Sequence, residues 1–117
     1  MFVTADQLFA HAVGDYVFQT NQMAQGKTRT KVWACAHAIW YMIPFLVLCQ
    51  PSMVAWIVMV ASHAVIDHWS LGRKLKPMPP KPAVGPDPVS ESLRTWLPII
   101  CDNILHVSVN AAALRWL

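Results

Sequence analysis

Three His–Asp pairs recur at one spacing: His11 and Asp15, His63 and Asp67, and Asp102 and His106, each four residues apart. On a helix that spacing puts both side chains on one face, one turn apart. The chain holds only five His and five Asp, so three such pairs exceed what chance placement gives. His37 adds a fourth imidazole. Imidazole and carboxylate groups together make either a ligand set for a divalent cation or a hydrogen-bonded network that holds protons. Seven residues, His11, Asp15, His37, His63, Asp67, Asp102 and His106, form a mixed N/O set that suits Zn²⁺, Mn²⁺ or Fe²⁺ and is large enough for one or two ions. Any one of them alone reads more simply as helix glue or a satisfied core group. All seven together do not.

Three further polar residues are less determined. His68 follows His63 by five residues, about 140° round a helix, so it need not join the same set. It reads as a supporting group, an interfacial general acid or a polar helix end. Asn103 and Gln19 can orient ligands or bind a substrate oxygen, and local capping and helix contacts explain them equally well.

The elements that carry these groups are strongly apolar. Hydrophobic residues make up 56% of the 117 and charged residues 13%, where a soluble domain has roughly 25% charge. That balance excludes a disordered tail and a nucleic-acid-wrapping protein. It fits one small polytopic membrane domain spanning 1–117, an all-α bundle of about four helices.

Apolar residues at helical spacing predict a half-polar helix over 2–18, followed by a polar, basic connection or short surface helix up to Lys31. Residues 32–49 carry no formal charge and are long enough for a short span, kinked at Pro44. A turn at Gln50-Pro51-Ser52 returns the chain through a second span over 53–69. Residues 73–88 hold six of the nine prolines and predict an extended loop. A last helix is expected over 93–117, with Pro98 near its first turn.

Charge placement sets a topology. Lys27, Arg29 and Lys31 lie in one connection and Arg73, Lys74, Lys76 and Lys81 in another, with no Lys or Arg between Val32 and Trp69. Basic residues confined to alternate loops follow the positive-inside rule, which predicts a multi-pass protein of the bacterial inner membrane with both loops cytoplasmic. The His and Asp residues then fall about 6–15 Å inside one face, at ~1.5 Å per residue. Each is expensive in hydrocarbon unless it is satisfied by a neighbour or a cation. Cys35, Cys49 and Cys101 sit in apolar runs without metal or disulfide spacing and read as small buried hydrophobes. The first fifteen residues lack a basic n-region and a clean apolar run, so they do not read as a cleavable signal peptide.

The run His11-Ala-Val-Gly-Asp15-Tyr-Val-Phe-Gln19-Thr20, followed by Met23-Ala24 and Lys27, resembles the opening motif of a small membrane-protein family, domain of unknown function 3307, frequent in bacteria and phages. His37, His63-x-x-x-Asp67 and Asp102-Asn103-x-x-His106 match its later motifs in order. Tyr16 stands where Phe is usual and Asn103 where Gln is usual. The family is similar to inner-membrane metal-dependent hydrolases that carry His and Asp on transmembrane helices, and that kinship implies a metal and hydrolysis.

The expected function is metal-dependent hydrolysis of a lipid or lipid-linked ester at headgroup depth. Asp67 or His68 is the expected general acid, and Lys27, Arg29, Arg73 and Lys74 are placed to hold an anionic headgroup. Membrane lipid is the expected partner and nucleic acid is not; a homo-oligomer or a host membrane protein stays open. The alternatives are a phage or bacterial membrane effector that docks a host protein through the proline-rich loop, and a proton or ion relay.

Overall fold

The computed structural model describes residues 2–117, and those residues fold into helices without a β-strand. Helix α1 spans Ala5–Ala12 and runs directly into a π-helical turn over Val13–Val17. Next come α2 (Asn21–Gly26), α3 (Lys31–Tyr41), α4 (Ile43–Leu48) and α5 (Met53–His68). A 3₁₀ turn over Gly72–Lys74 precedes the proline-rich segment, and α6 (Glu91–Trp116) ends the chain.

Local sequence explains most of these boundaries. Thr4, Thr20, Thr30, Ser52 and Ser90 cap α1, α2, α3, α5 and α6, each hydroxyl accepting a backbone N–H three residues on. Gln7 returns the bond to Thr4, completing a capping box. Pro44 opens α4, so the apolar segment over 32–49 breaks at Met42 into two helices. That is the expected kink. Helix α5 ends in a Schellman motif: Ser70 takes φ 51°, Leu71 N–H donates to Ile66 and Ser70 N–H to Asp67.

Two boundaries differ from expectation. The first helix changes to wider π-type turns from Val13 instead of continuing as an α-helix to Phe18. Such bulges concentrate at functional sites, and this one carries Asp15. Helix α6 starts two residues earlier than expected, so Pro98 lies inside it and not in the first turn. Proline removes one N–H from the ladder there, and the helix continues through it.

The packing is antiparallel. Helix α3 packs on α5, α5 on α6, and α1 on α4 and α6. At one end Ser52 Oγ donates to the Leu117 carbonyl, and the rings of Phe2 and Trp116 lie 5.5 Å apart. At the other end the two basic connections meet: His68 Nδ1 donates to the Lys27 carbonyl, and Lys27 and Arg73 line one cavity. The proline-rich segment is pinned beside this end by Arg94, which donates to Asp87 and to the Pro79 carbonyl. The Arg94 guanidinium holds the Asp87 carboxyl down at about 2.

Polar side chains share the interior with an apolar core, and many large apolar side chains face outward. His11, Asp15, His37, His63, Asp67, His106 and Asn110 are buried, while Phe9, Val17, Val47, Met53, Trp96 and Trp116 are exposed. Two helical segments, Lys31–Leu48 and Glu91–Trp116, are long and apolar enough to cross a membrane; Met53–His68 is apolar but shorter.

One close approach sets where the π-turn sits. A Cβ on Gly14 would lie 2.5 Å from Tyr41 Cδ2 and 2.7 Å from the Tyr41 carbonyl oxygen. The backbone oxygen cannot step aside as a side chain can, so only glycine lets this turn lie against α3. Gly14→Ala should cost about 1–3 kcal/mol by overpacking. The check is thermal unfolding of the detergent-purified protein, and an unchanged midpoint would refute the packing account.

Candidate metal centre

Four elements deliver side chains to one point. The π-turn brings Asp15, α3 brings His37, α5 brings His63 and Asp67, and α6 brings Asp102 and His106. Asp67 is the hub. Its Oδ2 lies 3.1 Å from His63 Nε2, 3.3 Å from His37 Nε2 and 3.1 Å from Lys27 Nζ; its Oδ1 lies 3.1 Å from His106 Nε2. Asp15 Oδ1 faces the same imidazoles from the other side, 3.1 Å from His37 Nε2 and 3.5 Å from His63 Nε2.

Two groups of ligand atoms result. Asp15, His37, His63 and Asp67 each offer one atom within 4.8 Å of the others, and Asp67, Asp102 and His106 do the same. Asp67 belongs to both, one carboxylate common to two sites. All three pairs at four-residue spacing meet as helix geometry requires, at 3.7 Å for His11–Asp15, 3.1 Å for His63–Asp67 and 3.5 Å for Asp102–His106.

The donor atoms bear on whether a cation fits. His63 Nε2 and Asp67 Oδ2 are buried and face each other at 3.1 Å, with Lys27 Nζ holding Oδ2 at the same distance, while no well-aligned hydrogen bond satisfies His63 Nε2 or the Nδ1 atoms of His37 and His63. Buried polar atoms in folded proteins are nearly always paired. A cation coordinated by imidazole and carboxylate would satisfy His63 Nε2, which points into the cluster. The residues fit such an ion.

His11 is turned elsewhere. Its Nδ1 lies 2.7 Å from the Tyr41 hydroxyl and its Nε2 2.8 Å from Asn103 Oδ1. Asn110 Nδ2 donates to the same Tyr41 oxygen at 2.7 Å, so the Tyr41 proton goes to His11 Nδ1 and the His11 ring donates from Nε2 to Asn103. Asn103 in turn donates to the Tyr16 hydroxyl at 2.8 Å. Both ring nitrogens are therefore engaged, and His11 stands outside both ligand groups, among the described residues. Tyr41 also stacks on His63, with ring centroids 3.8 Å apart and planes 20° apart, which fixes that imidazole.

His68 is also outside the cluster. Its Nδ1 is bonded to the Lys27 carbonyl and its ring meets Trp69 edge-on. This contact ties the connection after α2 to the end of α5, and so places Lys27. Tyr41 and Asn110 are functional neighbours that the spacing of His and Asp does not single out. The signal that could find them is their place on the faces of His37 and His106, four residues further along each helix.

Above the cluster a cavity of about 410 Å³ is lined by Ala24, Lys27, Thr28, Asp67, Ser70, Arg73 and Asp102. A neighbouring cavity of about 160 Å³ shares Lys27, Arg73 and Asp102 and adds Asp15, Tyr16, Gln19 and Ile99. Gln19 Oε1 is buried there without a partner. Gly72 makes the floor of this arrangement close: a Cβ on it would lie 2.3 Å from Asp102 Cα. The 3₁₀ turn bearing Arg73 is thus pressed directly against α6 at Asp102.

The Tyr41 hydroxyl is the joint between His11 and Asn110. Tyr41→Phe leaves two buried polar groups unpaired and should cost about 1–3 kcal/mol. Loss of that size would lower the thermal midpoint measurably, and a variant as stable as the parent would show that the hydroxyl bonds contribute nothing.

No curated protein and no solved structure matches the chain. A family described as "Protein of unknown function (DUF3307)" matches residues 3–116. The match covers all the clustered residues from Asp15 to His106 and nearly the whole sequence, and the chain therefore belongs to the DUF3307 family.

Proposed function

We propose that this chain is an integral membrane protein of the bacterial inner membrane, a bundle of about four helices forming one domain, which holds one or two divalent cations (Zn, Mn or Fe) and hydrolyses a lipid or lipid-linked ester. The observation that carries the metal is Asp67, a buried carboxylate shared by two ligand groups and facing an unpartnered imidazole nitrogen. The ligands are Asp15, His37, His63, Asp67, Asp102 and His106. His11 supports them from behind, held by Tyr41 and Asn103 at a distance of 3.7 Å from Asp15.

The outward-facing apolar side chains support the membrane. Soluble monomers rarely expose large continuous apolar surface, whereas lipid-facing helices do so by necessity. Both basic connections lie at one end, which is the cytoplasmic end under the positive-inside rule. The cluster then sits beneath that surface, at the depth of an ester linking a headgroup to its lipid.

A bound divalent cation lowers the pKa of its water to about 7 and polarises an ester oxygen. The chain's own groups supply the rest. Asp102 lines both cavities with its side chain 26% exposed, so it is the ligand carboxylate that meets water and substrate there. Asp67 is buried as the common ligand and His68 is bonded to the Lys27 carbonyl, so the leaving group takes its proton from water in the cavity.

Two experiments test this reading. Elemental mass spectrometry of the detergent-purified protein should find one or two equivalents of a transition metal, with Asp67→Asn and the His63→Ala/Asp102→Ala double variant losing most of it at unchanged helicity by circular dichroism. A wild-type protein that stays metal-free after incubation with Zn²⁺, Mn²⁺ and Fe²⁺ ends the metalloenzyme reading and leaves a proton relay. For the membrane, alkaline carbonate washing of cell membranes should leave the chain in the pellet; its release into the wash would make it peripheral.

A further inference from the structure

The cavity over the cluster has a polar character that an acyl ester does not need. Lys27 and Arg73 stand on its walls with Thr28 and Ser70, while Asp67 and Asp102 form its acidic side. Lys27 is already paired, 3.1 Å from Asp67. Arg73 is not: no carboxylate lies within ion-pair distance of its guanidinium among the described residues. Gly72 and the short 3₁₀ turn hold it beside Asp102, and it borders both cavities.

A free guanidinium that faces a cavity beside a second cation and two hydroxyls recognises a tetrahedral oxyanion. Arginine offers paired N–H donors that match phosphoryl oxygens, and lysine adds a point charge. A neutral acyl ester would leave Arg73 without a counter-charge. The unpartnered Gln19 amide oxygen in the adjoining cavity adds an acceptor for a hydroxyl or amine on the alcohol portion.

We infer that the ester this site takes is a phosphate ester, its phosphoryl group held between Lys27 and Arg73 at the mouth of the cluster. This rests on the hydrolase reading for the reaction, though the binding site is independent of it. In hydrolysis the water oxygen bonds to phosphorus and the bond from phosphorus to the alcohol oxygen breaks. The alcohol takes a proton from water in the cavity and the attacking water gives one back, so that a phosphate monoester yields phosphate and alcohol. The phosphoryl group can come from a membrane phospholipid or from a soluble phosphate ester, because the recognising chemistry is the same.

The test is calorimetric titration of the detergent-purified, metal-analysed protein with inorganic phosphate, dioctanoyl phosphatidic acid and dioctanoylglycerol. Phosphate and the phosphatidic acid should bind, and the neutral diacylglycerol should not. Arg73→Gln should weaken both anions about tenfold or more at unchanged metal content, the scale of one charged hydrogen bond. Lys81→Gln, in the proline-rich segment away from the cavity, should leave binding unchanged. Tighter binding of the phosphatidic acid than of phosphate assigns a lipid source, and equal binding a soluble one; both support the site. Undiminished phosphate binding by Arg73→Gln overturns it, as does diacylglycerol binding as tight as that of the phosphatidic acid. Arg73-dependent phosphate binding to a metal-free protein would keep the phosphoryl site and remove the metal.

Discussion

The buried carboxylate of Asp67 is the constraint around which the rest of the bundle is arranged. Its two oxygens meet His37, His63, His106 and Lys27 within 3.3 Å, from α3, α5, α6 and the connection after α2. An isolated carboxylate in an apolar interior costs many kcal/mol, and only paired or cation-bound carboxylates persist there. Satisfying this one requires several separate stretches of chain to converge. The close approaches at Gly14 and Gly72 serve that convergence, one bringing the Asp15 turn against α3 and the other bringing Arg73 against α6.

Tyr41 shows how the polar interior is kept in order. The residue is fully buried, stacks on His63 and passes one hydroxyl proton to His11 while accepting from Asn110. A single phenol thus fixes the ring plane of His63 and the tautomer of His11. Supporting contacts of this kind orient metal-binding side chains and tune their basicity. Below it, Phe45, Met42 and Met59 close an apolar layer that separates the cluster from the far end of the bundle. Water and ions therefore have access to the cluster chiefly from the basic end, where the two cavities lie.

Much of this arrangement is legible in the amino-acid sequence. Side chains four residues apart must share a helix face, so the three His–Asp pairs need only helices to form. Counting residues from the basic connections places the seven groups at a common depth, and the convergence of six of them follows from that. What depth does not supply is rotation about each helix axis. His11 lies at the right level, but the Tyr41 hydroxyl and Asn103 turn its ring to their own use. His68 is likewise adjacent in sequence to Asp67 and directed to the Lys27 carbonyl. The π-turn at Asp15 escapes the sequence for a different reason: it is a local departure from regular helix that tertiary packing imposes, and apolar periodicity does not register a single wider turn. The start of α6 is local, set by the Ser90 cap, which apolar periodicity alone overlooks. The match to DUF3307 gives the motifs a family but no chemistry.

Charge at the mouth of the cluster links the metal to the phosphoryl group. Asp15, Asp67 and Asp102 face Lys27 and Arg73 across the two cavities, three carboxylates against two cations. With neutral imidazoles this group is net negative, which weakens the hold of Lys27 and Arg73 on a phosphate ester. One divalent cation held by the cluster would reverse the sign. Lys27 would then no longer neutralise Asp67 alone, and its ammonium could turn toward the cavity it already lines. Attraction between unit charges at 4 Å is about 4 kcal/mol at an effective dielectric of 20, so a change of sign at this range would tighten the binding of an anion. The ligand set and the basic rim would in that sense reinforce each other.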